Sequence, residues 1–442
     1  MTLLVWNNAL ERNTAVFVPI TNTPRHYAWG SYSAIADFRG MSPSGEPEAE
    51  LWLGAHPGSP SRVIGSDSGT TSDSGTTLDS LIAANPEAML GSALAGSGRL
   101  PFLFKVLAAN QPLSLQVHPH ETGARAGFER ENAAGIPLSA FNRNYADPYP
   151  KPELIVAVSD SFLALSGFRP LEEVIGVLAN LHTADAASRA PEPATLDLLT
   201  SHLTGPDPLR TVVEWLLRDG RGDERSSVSR VVTRVTELAT TGTTKYSPYA
   251  PSFALVGELA ASYPGDPGIV ISLLLNPVEL RRGESLFLDA GNIHAYIRGL
   301  GIELMTASDN VLRGGLTPKH IDVPELLAVL DTSPVLPPLL VPIEAAPGVL
   351  VYDPGQPDFL LYQIEPRDAS AQSSATHPLT RTPAAVSLRG PAIILVEGDD
   401  MHVAGATGDC DLGRGTAAFV TPDEQTLTFT GPGIAWIATV GA

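Results

Sequence analysis

LSLQVHPH, residues 113–120, alternates apolar and polar side chains and then breaks at a proline. Successive side chains of a β-strand point to opposite faces, so Leu113, Leu115 and Val117 share one face and Ser114, Gln116 and His118 the other. The first face suits a hydrophobic core. The second presents a hydroxyl, an amide oxygen and an imidazole. Imidazole and amide oxygen are both competent metal ligands, imidazole being favoured by zinc. A Gln–His pair at i, i+2 is more often an ordinary hydrogen-bonded sheet face, so the stretch argues for a strand before it argues for chemistry.

The same texture extends in both directions. Short β-like runs broken by Gly and Pro, among them AVFVPI (15–20), PFLFKVLA (101–108) and ELIVAV (153–158), fill the chain as far as Arg169 and point to a sandwich or barrel. The perfect tandem SDSGTTSDSGTT (66–77) reads as a solvated surface loop, and LDSLIAANPEAML (78–90) as a short helix. After Pro170 the period changes. LEEVIGVLANL (171–181), TVVEWLLR (211–218), SVSRVVTRVTELA (227–239) and FALVGELAASY (253–263) have helical spacing, with 184–197 as a loop among them. The β texture returns at 268–297, Asp322 and Glu325 predict a capping box, and the proline-rich 334–342 predicts a linker before a last strand-rich region. LRRGESLFLDAGNIHAY (280–296) aligns without gaps on LGRGTAAFVTPDEQTLT (412–428), which sets His294 opposite Thr426. A mainly β protein with an α-helical insert is therefore expected, with one β unit at 1–168 and 265–333, helices at 169–264 and a second β unit at 334–442.

At 442 residues the chain is long enough for two or three domains, and a formal net charge of −20 argues against nucleic acid or anionic membrane as a partner. Cys410 is the sole cysteine, so no intrachain disulfide forms and no cysteine-rich metal site exists. No signal-peptide pattern and no run of about 18 apolar residues is present, which makes the cytoplasm the default location.

Three further stretches carry chemistry. In YPKPELIVAV (149–158) Glu153 enters an otherwise apolar strand, where a carboxylate must be paired or coordinated; Lys151 is the local partner on offer. In LDAGNIHAYI (288–297) a tight-turn composition precedes His294, which shares a strand face with Tyr296. Gln116, His118, Glu153 and His294 together would supply two imidazoles, a carboxylate and an amide oxygen, a set suited to Zn²⁺, with Mn²⁺, Fe²⁺ or Co²⁺ as alternatives. In GIELMTASDNVLRGGLTPKH (301–320) Glu303 lies on a strand-like run, Asp309 precedes Arg313, and Lys319 follows Thr317-Pro318, read as a helix start. Two cations at such a start suit a phosphate.

YAWGS (27–31), AELWLGAHP (49–57), LPFLFKVLAANQPLSLQVHPH (100–120), KPELIVAV (151–158), GNIHAYI (291–297) and SDNVLRGGLTPKH (308–320) resemble the signature blocks of the type I mannose-6-phosphate isomerases, or phosphomannose isomerases. The resemblance implies a cupin-like jelly-roll catalytic domain, a helical domain and a second, C-terminal jelly roll lacking a metal site. It implies one zinc ion per chain on Gln116, His118, Glu153 and His294, and a catalytic arginine at Arg313. The family often has Asp or Asn where this chain has His120, and Asn-His where it has Tyr149-Pro150.

The implied reaction moves a proton between C2 and C1 of an open-chain sugar phosphate through an enediol. Lys151, Glu303 and Asp309 are the candidates for proton transfer. Lys105, Ser114, Lys319 and Tyr296 are the candidates for substrate and phosphate contacts. A small-molecule sugar phosphate is the expected partner and a monomer the expected state. The competing readings are another metal-dependent cupin enzyme, such as an oxygenase, and a sugar-phosphate-binding cupin without catalysis.

Overall fold

The computed structural model describes residues 16–67, 70–220, 226–240, 242–367 and 381–442. Its strands form three sheets, two of nine strands and one of four, and its helices gather mainly between residues 171 and 272. The mainly β architecture with a helical insert is as expected.

One strand organises the first β region. His294–Thr306 runs antiparallel to Leu115–Val117 and Phe162–Phe168 at its start, and to Phe102–Ala109 and Glu153–Ala157 at its end. The register shifts between Tyr296 and Arg298, and Gly299 follows at φ 130 with Phe162 so close that a Cβ would lie 2.7 Å from its ring. A bulge followed by a glycine bend lets one strand turn a corner between two layers. That is how strands remote in sequence come to face one interior.

The alternation expected at 113–118 is realised over Leu115–Val117 alone; Leu113 lies outside the strand and packs on a different cluster, with Tyr296 and Phe162. Leu115 and Val117 are fully buried in one cluster with the helical block, among them Val177, Leu181 and Val231. Burying an aliphatic side chain of this size contributes about 1.5–3 kcal/mol. The apolar face thus anchors the strand on the helices and leaves Gln116 and His118 facing the other way.

The internal repeat is visible in register. Gly283 N–H donates to Ala157 O and Gly415 N–H to Val396 O, both at 2.8 Å. Phe287 pairs with Leu154 as Phe419 pairs with Ile393, and His294 and Thr426 each open the next strand. The two matched arginines reach across between the β regions. Arg282 binds Glu397 and Val158 O, and Arg414 binds the carbonyls of Asp37 and Phe38. The first described strand, Phe17–Thr21, pairs with Ala417–Val420, so it joins the sheet of the C-terminal strands rather than that of His294–Thr306.

Five local expectations are corrected. Within 268–297, read as β, Gly268–Ser272 is a helix and the first strand starts at Leu275. The stretch 66–77 falls on the strands Arg62–Asp67 and Thr70–Thr77 of a hairpin rather than on a loop, with 68–69 outside the described residues; β-branched Thr favours the ladder, Ser66 and Asp67 pair with Thr71 and Thr70 inside the first unit, and the second unit pairs with Gly65, Ile64 and Arg62. The helix at 78–90 is two, Leu78–Ala84 and Pro86–Leu90, because Asn85 caps the second and Pro86 starts it. Within 184–197 the chain is helical at both ends, since Leu171–Ala186 runs longer than expected and Pro193–Ser201 is a helix that was not expected. Asp322 does cap Val323–Val329 by accepting the Glu325 N–H (3.1 Å), but the Glu325 carboxylate serves Tyr145 and Arg130 instead of closing a box.

Candidate metal centre

His118, just past the strand Leu115–Val117, comes together with Glu153 and His294 at the starts of two others, with ligand atoms all within 4.8 Å of one another and every side chain buried. Glu153 Oε1 lies 3.2 Å from His118 Nε2, and Oε2 lies 3.3 Å from His294 Nε2. Main-chain carbonyls choose the tautomers. His118 Nδ1 donates to Asn310 O at 2.7 Å and His294 Nδ1 to Asn292 O at 3.0 Å. Each Nε2 is then left as a lone pair, and both Nε2 atoms are buried without a hydrogen-bond partner. Orphaned polar atoms at such depth are costly unless something binds them. Burial, then Lys151, pushes the His118 imidazole down to about 4, so it is neutral and free to ligate at pH 7. Burial raises the Glu153 carboxyl, but Lys151 at 2.7 Å and His118 overcome this and hold it well below its ordinary value. Two imidazoles and an ionised carboxylate are a donor set that fits Zn²⁺. Gln116, half-buried, is the Cα partner of both His294 and Arg313, which sets its side chain on the same face between them.

Beyond Gln116 stand two cations. Arg313 lies on Leu312–Gly315 and Lys319 six residues on; burial lowers the pKa of both, and Arg313 lowers that of Lys319 further. Among the described residues neither has an ion-pair partner, in a chain of net charge −20. Thr317-Pro318 does not start a helix. Thr317 Oγ1 accepts the Lys319 N–H at 3.1 Å and the next helix begins at Val323. Arg313 therefore stands on a strand and Lys319 in the bend that follows it, rather than at a helix dipole. Ser114, half-buried, lies just before the strand that bears Gln116.

Behind the carboxylate lies a second charged layer. Lys105, expected with the phosphate, is buried with its ammonium 2.8 Å from Glu303 Oε2 and 3.5 Å from Glu50 Oε1. Its charge is already matched; burial works to lower its pKa, but Glu303, Glu50 and Glu153 raise it, so a phosphate dianion would meet carboxylates here. Burial, with repulsion from Glu153 and Glu50, leaves Glu303 with a raised pKa despite Lys105. The buried Tyr296 hydroxyl is 3.5 Å from Glu153 Oε2 and also faces Glu303. Asp309 is half-exposed and sits 3.4 Å from Nε2 of the buried His56, whose Nδ1 accepts the Gly58 N–H.

Residues 17–171 match the family model of the phosphomannose isomerase type I catalytic domain. The mannose-6-phosphate isomerase of Escherichia coli K12 is 36% identical over 420 residues, covering 94% of this chain and 97% of that protein. The mouse mannose-6-phosphate isomerase is 31% identical over 92% of this chain. The chain belongs to the mannose-6-phosphate isomerase family. A zinc-bound holo structure of a mannose 6-phosphate isomerase superposes with a TM-score of 0.80 at 32% identity, covering 97% of this chain and all of the other. The Salmonella typhimurium mannose 6-phosphate isomerase bound to fructose 6-phosphate and zinc superposes at 0.79 with the same identity and coverage. The cupin-like fold expected from the sequence is shared with these mannose-6-phosphate isomerases.

For a mannose-6-phosphate isomerase the most consequential residue that sequence reading passed over is Asn310. It is fully buried, its carbonyl fixes the His118 tautomer, and its side chain ties Ala146, Asp147 and Tyr149 together. Ligand-orienting partners of this kind typically govern metal affinity by about 10–100-fold. His56 and Glu50 were also passed over, although both lie inside a quoted block. The three departures from the family pattern, His120, Tyr149 and Pro150, line one cleft with Arg99 and Asp358, where the Arg99 guanidinium stacks 3.7 Å from the centre of the Tyr149 ring.

Proposed function

We propose that this chain interconverts mannose 6-phosphate and fructose 6-phosphate with one zinc ion held by Gln116, His118, Glu153 and His294. The observation that carries it is the pair of buried, hydrogen-bond-free Nε2 atoms flanking the Glu153 carboxylate, a few side chains from two unpaired cations. When bound, the ion supplies Lewis-acid polarisation of a substrate oxygen. The chain's own residues do the rest. Lys319, with Ser114 beside the ligand strand, receives the phosphate. Arg313, next to Gln116 in register, faces the enediolate and offsets its negative charge. Glu303, whose raised pKa brings it closer to neutrality, takes the C2 proton of the open-chain aldose as O1 gains one, and returns it to C1 as O2 loses one. Lys151 holds Glu153, and Tyr296 bridges Glu153 toward Glu303. Asp309, open to solvent and beside His56, is placed to serve ring opening.

The division into a catalytic unit (1–168 and 265–333), a helical unit (169–264) and a C-terminal unit (334–442) is part of the same proposal, with Phe17–Thr21 lent to the C-terminal sheet. No helix among the described residues is long and apolar enough to cross a membrane. A cytoplasmic monomer is the proposed state, supported by the single buried cysteine and the strongly acidic composition; sedimentation tests it.

A coupled assay on mannose 6-phosphate, beside metal analysis of the purified protein, tests the reading. Turnover lost on chelation and restored by zinc is the expected result, and full turnover in metal-free protein defeats it. Arg313→Ala should lower kcat by about 10²–10³-fold with zinc retained. A rise in KM at constant kcat would make Arg313 a binding residue instead.

A further inference from the structure

We propose that Asp266 is a positioning residue for the phosphate end of the substrate, holding the Arg313–Lys319 turn in place from the helical side. The proposal rests on the reading of Arg313 and Lys319 given above. Asp266 lies between the helices Ala250–Ser262 and Gly268–Ser272, where the chain returns from the helical block to the β region. Its Oδ1 accepts the Gly268 N–H at 2.7 Å and the Leu316 N–H at 2.9 Å, and its Oδ2 accepts the Thr317 N–H at 3.3 Å. A single carboxylate thus fixes two successive main-chain groups midway between the two cations, and hydrogen bonds to an ionised acceptor are the strong kind.

The turn needs that hold. Leu316, at φ 52, is the one non-glycine residue with positive φ among the described residues. A bulky side chain is rarely found there, and such conformations persist only where the surroundings impose them. Gly315 before it has φ 130, and a Cβ on it would lie 2.8 Å from Gly268 Cα. A Cβ on Gly268 would lie 2.7 Å from Leu316 N. The two backbones are therefore in direct contact, with no room for side chains between them. At the other end of the same segment, the Tyr263 hydroxyl donates to Pro112 O at 2.7 Å, two residues before Ser114. Residues 263–268 consequently touch the approaches to both polar strands, the one bearing Gln116 and the one bearing Arg313. Lys319 follows within one turn, its N–H held by Thr317, so its direction is inherited from Leu316 and Thr317.

Three N–H donors converge on two carboxylate oxygens. An asparagine has one acceptor oxygen and can keep the bonds to Gly268 and Leu316 while losing that to Thr317. In zinc-loaded protein, Asp266→Ala should lower kcat/KM by about 10–10²-fold, the scale of effect seen when a reactive geometry is displaced from a distance. The loss should be carried by KM, with inhibition by inorganic phosphate weakened in parallel and zinc stoichiometry unchanged. Asp266→Asn should fall between wild type and Asp266→Ala. A lowered unfolding midpoint with wild-type KM and wild-type phosphate inhibition in both variants would overturn the proposal. Should Asp266→Ala not fold, an unchanged KM in Asp266→Asn overturns it. An inactive wild-type protein would instead overturn the functional reading on which the proposal rests.

Discussion

Replacing His294 with alanine should remove the metal and the activity together. The ring is fully buried, its Nδ1 is committed to Asn292 O, and its Nε2 points at Glu153 with no other partner. Deleting it takes one imidazole from a set of two and frees one oxygen of a buried carboxylate. Removing only a ligand-orienting partner costs metal affinity about 10–100-fold, so removing a ligand should cost more than about 10²-fold. Purified His294→Ala protein should therefore contain far less than one zinc per chain and show kcat/KM reduced by at least that factor. Excess zinc in the assay should restore part of the activity if the fold is intact, which circular dichroism checks. A variant that is metal-free and fully active would take zinc out of the chemistry. Thr426→Ala, at the matching position of the repeat, is the control, and its metal content should equal that of wild type.

What could be read from the sequence was what is local. The opposed faces of Leu115–Val117 were legible because the pleat is a property of the strand alone, and the helical block because a 3.6 period survives any tertiary setting. The ligand set was legible as residue types and as a family resemblance. Spacing alone could not bring Gln116, Glu153 and His294 together, since the convergence depends on the bend near Gly299 in a strand that changes layers. The fate of Lys105 was hidden for the same reason. Its partner Glu303 is 198 residues away, and only the register between Phe102–Ala109 and His294–Thr306 sets them opposite each other. Asn310 was hidden differently, because it acts on His118 through a main-chain carbonyl that every residue type possesses. Thr317-Pro318 misled because proline at a first helical position and proline in a bend read alike; the Thr317 hydroxyl, bound to the Lys319 N–H, decides for the bend.

The exchange Glu303→Gln separates proton transfer from metal binding. Glu303 is no metal ligand in the proposed set, so zinc should remain at one per chain. A glutamine fits the same space and still accepts a hydrogen bond from Lys105, but it cannot take a proton from carbon. General-base removal typically costs about 10²–10⁴-fold, and kcat should fall by that much while KM changes little. The substitution also leaves the buried Lys105 ammonium with Glu50 at 3.5 Å as its remaining close carboxylate. Breaking one arm of a buried ion pair can cost about 3–5 kcal/mol, so the unfolding midpoint must be followed beside the rate. Glu303→Asp resolves the two effects. It keeps the charge beside Lys105 and withdraws the carboxylate from the sugar, so stability should recover while turnover stays low. Exchange of the C2 hydrogen of mannose 6-phosphate with deuterated solvent should be lost in Glu303→Gln to the same extent as kcat. Exchange continuing at the wild-type rate would assign the base to Lys151 or Asp309 and leave Glu303 as the counter-charge of Lys105.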